Sequence, residues 1–215
     1  MNDNSKISDS VYLNKGRLYI LSAPSGTGKT TLCGEILKSI PNLKESISFT
    51  TRRPRAGERN DIDYTFVSIE AFQERLHAGE FIEWAEVFGN YYGTSMKRIQ
   101  EIKDSGSDVL LDIDTHGAKQ IRAKHIEATY IFILPPLLET LSKRLAVRNL
   151  DDEITISRRL AKARDEIREC VYYDYILVND DLQQAVDELK SIILSSRLRA
   201  DCLNANWFET RFGIP

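Results

Sequence analysis

Short, almost wholly apolar runs alternate along this chain with longer segments whose apolar residues recur at helical spacing. The first run, RLYILSA at 17–23, ends in a Pro/Ser/Gly turn, and in the KTTLCGEILKSI that follows it Leu32, Ile36, Leu37 and Ile40 share one helical face. Strand, loop and helix are predicted. DVLLDID at 108–114 and ATYIFILPP at 128–136 repeat the theme, and YDYILVND at 173–180 precedes the helical DLQQAVDELKSIILSSRL. Strands that lack in/out alternation and are separated by helices predict a parallel sheet covered on both faces, hence an α/β core.

Two segments interrupt this rhythm. Residues 51–96 open with the polar, turn-rich TRRPRAGERNDIDYTF and continue with FIEWAEVFGNYYGTS, a strand running into a Gly-Asn turn, which predicts an inserted, mostly β subdomain. Residues 137–170 are helical and basic, and predict a second insertion at the rim of the sheet. The core is then assembled from 17–50, 97–136 and 171–200, with a flexible lead-in at 1–16 and a tail at 201–215. Trp207, Phe208 and Phe212 in that tail are expected either to dock on the core or to make a homo-oligomer contact.

Composition narrows the setting. The chain has 215 residues, 42% hydrophobic and 28% charged, with no apolar run near the roughly 20 residues that a membrane helix needs. A membrane partner is not expected. The polar opening does not read as a signal peptide, and Cys33, Cys170 and Cys202 are odd in number and widely spaced, which disfavours a disulfide framework or a zinc site and suits the cytoplasm. A net charge of −3 gives no reason to expect nucleic acid. The basic residues nonetheless cluster, as Arg52, Arg53, Arg55 and Arg59, and again as Lys143, Arg144, Arg148, Arg158, Arg159, Lys162, Arg164 and Arg168. Each cluster is either a solvated face or a contact to a polyanion.

The strand-to-helix junction holds the most specific chemistry. Ala23-Pro24-Ser25-Gly26-Thr27-Gly28-Lys29-Thr30-Thr31 matches the phosphate-binding loop G-x-x-x-x-G-K-[ST] except that alanine occupies the first position. Such a loop aims several backbone N–H groups and a helix N-terminus at one point. Lys29 can bridge the outer phosphates of ATP, and the Thr30 hydroxyl can ligate Mg²⁺. Ala23 can serve if its φ is negative. Asp112, at the end of VLLDID, is the candidate acidic partner for the metal's hydration shell, the plain alternative being a helix cap.

Taken together, SAPSGTGKTT, SFTTRRPRAGERNDIDYTF, FIEWAEVFGNYYGTS, VLLDIDTHGAKQIR and YILVNDDL, in this order over about 17–198, resemble the guanylate kinase family. The resemblance implies a P-loop NTPase core, an inserted GMP-binding subdomain and a helical lid. It also implies Mg²⁺-dependent transfer of the γ-phosphoryl group of ATP to GMP or dGMP. Carried onto this sequence, Ser48, Arg52, Arg55, Tyr64 and Tyr92 would hold the acceptor phosphate, and Glu83, Thr94 and Asp114 would read guanine. Arg144, Arg148 and Arg159 would be the lid arginines, acting with Lys29 and Arg55 in catalysis, and Asn179 would lie on the adenine side.

Physical chemistry supports these assignments. Guanidinium groups can clamp two repelling phosphates bidentately, and one carboxylate matches the adjacent N1–H and 2-amino donors of guanine but not the bare N1 of adenine. Alternation alone does not settle whether Glu83 or Glu86 faces inward; the family register selects Glu83. Two positions depart from the family pattern: His116 stands where glutamine is common, and Asn149 follows Arg148 where glycine is common. A non-catalytic binding module of the same fold is the competing reading, and the retained Lys29, Thr30 and Asp112 weigh against it. A P-loop kinase for another phosphorylated acceptor is disfavoured by Glu83.

Overall fold

The computed structural model describes residues 11, 12, 16–87, 89–149 and 153–214, and the side chains of these except 145–149 and 153–156. Most of the expected lead-in, and the side chain of Arg148, therefore lie outside the described residues. Strand β1 (Leu18–Ser22) leads through the Gly-rich loop into helix α1 (Lys29–Ser39). After β2 (Leu43–Glu45) the chain builds β3 (Phe49–Thr50), β4 (Thr65–Phe66), α2 (Ile69–His77), β5 (Phe81–Val87) and β6 (Asn90–Ser95). It then returns through α3 (Met96–Asp104), β7 (Asp108–Asp112), α4 (Thr115–Ala123) and β8 (Thr129–Leu134). Helices α5 (Leu138–Asn149) and α6 (Glu153–Arg168), strand β9 (Tyr175–Val178), α7 (Leu182–Arg197) and α8 (Ala205–Phe212) complete it.

The strands form two sheets, a five-stranded one in the order β2-β7-β1-β8-β9 and a four-stranded one in the order β4-β3-β6-β5. Every pairing in the first is parallel. Burial on both faces explains why its inner strands β1, β7 and β8 read as unbroken apolar runs. Tyr19 and Leu21 pack with Leu32 and Ile36 of α1 and Leu189 and Ile193 of α7. Leu18 and Ile20 pack on the other side with Ile99 of α3, Ala118 and Ile121 of α4, and Ile82 of β5. Ile82 thus carries the second sheet onto the core.

Several elements differ from the pattern-based expectation. Phe49 and Thr50, assigned above to the core, pair with β6 and belong to the second sheet. The inserted region also holds α2, whose N-cap Ser68 accepts from the Ala71 N–H, and Phe72 on this helix is wholly buried. Strand β2 was missed because only Leu43 of its three residues is buried. The tail forms α8, capped by Asn204, with Phe212 packed edge-on against Trp207 and tilted on Phe208. Among the described residues no helix is long and apolar enough to cross a membrane.

The second sheet has a small core of its own, in which Phe72 stacks on Phe81 at 4.5 Å and on Tyr91 at 5.5 Å, with Phe49 edge-on to Phe81. Phe72→Ala removes the ring that closes this cluster and should cost about 3–5 kcal/mol. A fall in the urea midpoint at unchanged m-value would measure it.

Candidate active site

The Gly-rich loop follows from its sequence. Gly26 and Gly28 take φ of 89° and 100°, the left-handed region that glycine enters without strain. Gly28 is fixed twice over, because a Cβ there would lie 2.6 Å from Asn179 Nδ2. Among the described residues the side-chain-bearing positions with positive φ are Asn42, Asp61 and His125, so alanine suffices at position 23. Thr27 closes the turn, its N–H and Oγ1 both donating to Pro24 O, at 3.2 and 2.8 Å. The Thr27 carbonyl accepts from Asn179 Nδ2 at 2.8 Å and from Arg144 Nη1 at 3.1 Å. The end of β9 and the middle of α5 are thereby joined to the loop.

The first residue of α1, Lys29, donates to Ile113 O at 2.8 Å and forms an ion pair with Asp112, with only 18% and 20% of the two side chains exposed. Thr30 and Thr31 are exposed on the first helical turn, Pro24 and Ala23 are buried, and Ser25 is exposed. Helix α6 reaches the same loop: Glu166 accepts a hydrogen bond from the Ser25 backbone and faces Lys162. Burial pushes the Glu166 carboxyl up, and Lys162 opposes that rise. A cavity of about 460 Å³ opens between Gly26, Gly28 and Thr31 on one side and Lys143, Arg144 and Asn179 on the other. A larger one, of about 1040 Å³, lies at Arg17, Thr129 and Tyr175, where the parallel strands begin. The smaller is the nucleotide candidate, since open α/β sheets bind ligands at the carboxyl ends of their strands.

A second group of residues meets beneath the second sheet. Glu83 is 6% exposed, and Thr94 Oγ1, opposite it on β6, donates to its Oε1. Ser48 Oγ lies 3.3 Å from Thr94 Oγ1. Asp114 caps α4 by accepting from the Gly117 N–H at 2.9 Å. Burial pushes the Glu83 carboxyl up to about 7; the Thr94 hydrogen bond opposes this and the nearby Asp114 adds to it. The register of β5 against β6 shifts between Phe81 and Glu83. This bulge buries Phe81, Ile82 and Glu83 in succession and leaves Glu86 exposed, which is why alternation alone could not choose between the two glutamates.

A third group surrounds Arg52. Its guanidinium makes paired 2.9 Å bonds to both oxygens of Glu58 and lies 5.4 Å above the Tyr64 ring. Tyr92 hydrogen-bonds Arg52 and stands edge-on to Tyr64. Glu58 also accepts from the Arg55 N–H at 2.7 Å, while the Arg55 side chain points into solvent. The sequence reading did not assign Glu58 a role. An acid six residues from Arg52 in a run of arginines was the available signal.

Most of the predicted residues fall into these three groups, and the side chain of Arg148 lies outside the described residues. Lys29, Asp112, Thr27, Asn179 and Arg144 meet at the loop, Ser48, Glu83, Thr94 and Asp114 form the buried polar group, and Arg52, Tyr64 and Tyr92 form the third. Arg55 meets the third group through its backbone N–H, with its side chain exposed, and Arg159 is half-buried on α6. His116, on the first turn of α4, is exposed. Thr30 and Asp112 offer hard oxygen donors of the kind Mg²⁺ takes, and a metal held largely through substrate phosphates needs only one or two protein ligands. Among the described residues no cluster of three or more His, Cys, Asp or Glu side chains could hold a metal alone.

Comparison with known proteins agrees with this geometry. The family model described as guanylate kinase matches residues 15–196. A guanylate kinase of Geobacter metallireducens is 51% identical over 185 residues, covering 86% of this chain and 91% of that protein. One from Symbiobacterium thermophilum is 44% identical over 196 residues, covering 91% and 93%. The crystal structure of guanylate kinase from Anaplasma phagocytophilum superposes with a TM-score of 0.75 at 33% identity, covering 96% of this chain and all of that one. With a P-loop core, a separate four-stranded sheet and matches that run nearly end to end, the chain belongs to the guanylate kinase family.

Proposed function

We propose that this chain transfers the γ-phosphoryl group of ATP to GMP, and that Glu83 selects the guanine base. The observation that carries the reading is a carboxylate almost wholly buried, partnered by a neutral hydroxyl and without an ion pair among the described residues. Such a group favours a ligand that brings two adjacent N–H donors, as the N1 and 2-amino edge of guanine does. Adenine would set a lone pair against it. Thr94, Ser48 and Asp114 complete this polar wall; Arg52, Tyr64 and Tyr92, with Arg55 approaching from solvent, receive the acceptor phosphate.

An oxygen of the acceptor phosphate attacks the γ-phosphorus while the bond to the β–γ bridging oxygen breaks, and ADP leaves. The attacking oxygen is already ionised near neutral pH, so no general base is required and positioning with charge stabilisation does the work. The loop N–H groups of 25–30 cradle the phosphates, and Lys29, now held by Asp112, is the mobile charge that can turn to them. Arg144, with Arg148 and Arg159 as its companions on the lid, supplies further positive charge. Mg²⁺, which Thr30 and Asp112 suit, neutralises the outer phosphate oxygens when bound. Three free cysteines fit a cytoplasmic setting.

An ADP-release assay with ATP, Mg²⁺ and GMP, AMP, CMP or UMP tests the assignment. Turnover is expected with GMP alone, and Lys29→Met should lower kcat about 10²–10³-fold, the usual effect of removing one transition-state donor. Nucleotide binding without turnover on any acceptor would contradict it. Glu83→Gln should raise the KM for GMP roughly 10–100-fold, the range expected for hydrogen bonds to a charged group.

The Glu83 ionisation adds a pH signature. Its carboxyl is raised from an ordinary 4.5 to about 7, so the folded chain holds a proton that the unfolded chain releases. This contribution is fully favourable below about 4.5 and fades as pH rises towards 7. Guanine prefers the ionised form, so GMP should bind more tightly as pH rises through that same value. Both slopes should be flatter in Glu83→Gln; titrations of melting temperature and of GMP affinity that matched wild type would refute the assignment.

A further inference from the structure

We propose that Gln120 and Lys124 are positioning residues for the acceptor base, which fix the backbone of β5 at the bulge that carries Glu83. The inference rests on the reading of Glu83 above. Strand β5 is an edge of the four-stranded sheet, so among the described residues its outer side has no strand to pair with. At Trp84 the Gln120 amide takes that place: the Trp84 N–H donates to Oε1 at 3.1 Å, and Nε2 donates to Trp84 O at 2.6 Å. One helical turn further on, Lys124 Nζ donates to Phe81 O at 3.1 Å and to Ile82 O at 2.7 Å. These four bonds bracket Glu83 on both sides, at the point where the register shifts.

A bulge held this way matters because side chains alternate along a strand, and a slip of one position would turn Glu83 to the opposite face. The clamp comes from a single helix surface. Asp114, Gly117, Gln120 and Lys124 succeed one another along the side of α4 that faces β5. Gly117 marks the closest approach, since a Cβ there would stand 2.7 Å from Glu83 Oε2. Ala118 and Ile121, both wholly buried, pack in one cluster with Ile82. Helix α4 begins three residues after Asp112, so one rigid element references the base-reading carboxylate to the phosphate end of the site.

A purely structural clamp would affect every acceptor alike. A positioning role must act on the two-donor match, and IMP, whose base keeps N1–H but lacks the 2-amino group, separates the cases. Lys124→Met and Gln120→Met keep side-chain bulk and helix propensity while removing the clamp. Each should raise the KM for GMP about tenfold, a loss in keeping with misplacement of well under 1 Å. The preference for GMP over IMP should fall in proportion, with kcat, the KM for ATP and the melting temperature near wild type and with Lys124→Arg restoring GMP affinity. Unchanged GMP affinity in both variants, or an equal loss on GMP and IMP, would overturn the proposal. If the wild type showed no preference for GMP over IMP, or Glu83→Gln left that preference intact, the reading of Glu83 itself would fall, and this inference with it. Should Lys124→Met fail to fold, Gln120→Met, at a half-buried helical position, carries the same comparison.

Discussion

A carboxylate shut away from water, with no ion-pair partner among the described residues, is held in place by the geometry around it. Glu83 is such a group, and much of this architecture keeps it where it is. A bulge turns it inward, Thr94 on the neighbouring strand donates to it, and glycine at 117 leaves it room. Its ionised form is disfavoured in the unliganded protein, and that cost is recovered when a ligand supplies two donors. In the proposed role, selectivity and the raised carboxyl pKa are one property seen twice.

The phosphate end obeys the same economy of neighbours. The buried strand β1 delivers the chain to a turn that two left-handed glycines and the Thr27 bonds to Pro24 close. Asn179 and Arg144 then secure the Thr27 carbonyl from the end of β9 and the middle of α5. Lys29 waits on Asp112, and Arg52 waits on Glu58. Each of these two cations is thus neutralised by a neighbouring acid. Helix α4 joins the two ends, because it starts beside Asp112 and closes against β5.

Much of this was legible in the sequence. The apolar runs identified β1, β7 and β8 because strands buried on both faces leave no polar positions to interrupt them, while β9 was legible from its apolar composition although most of it is exposed. The loop was legible because its chemistry demands glycine, lysine and threonine at fixed spacing. What escaped had physical reasons. Strand β2 pairs through its backbone and buries one side chain, so LKE carries no pattern. Helix α2 hides its single wholly buried residue, Phe72, among charged neighbours. Glu83 defeated alternation because a bulge breaks it. Gln120 and Lys124 were invisible because their partners are main-chain groups, and a backbone carbonyl leaves no mark on residue identity.

Glu83 should become ionised as it takes the guanine edge, and the direct measurement is the proton exchanged on binding. Calorimetry of GMP binding at pH 7 in two buffers of different ionisation enthalpy yields that number for the wild type and for Glu83→Gln. A carboxyl that titrates near 7 when empty and lower when filled releases about half a proton per site more than the variant, whose phosphate contacts are the same. Equal release by the two proteins, or proton uptake on binding, would contradict the central claim.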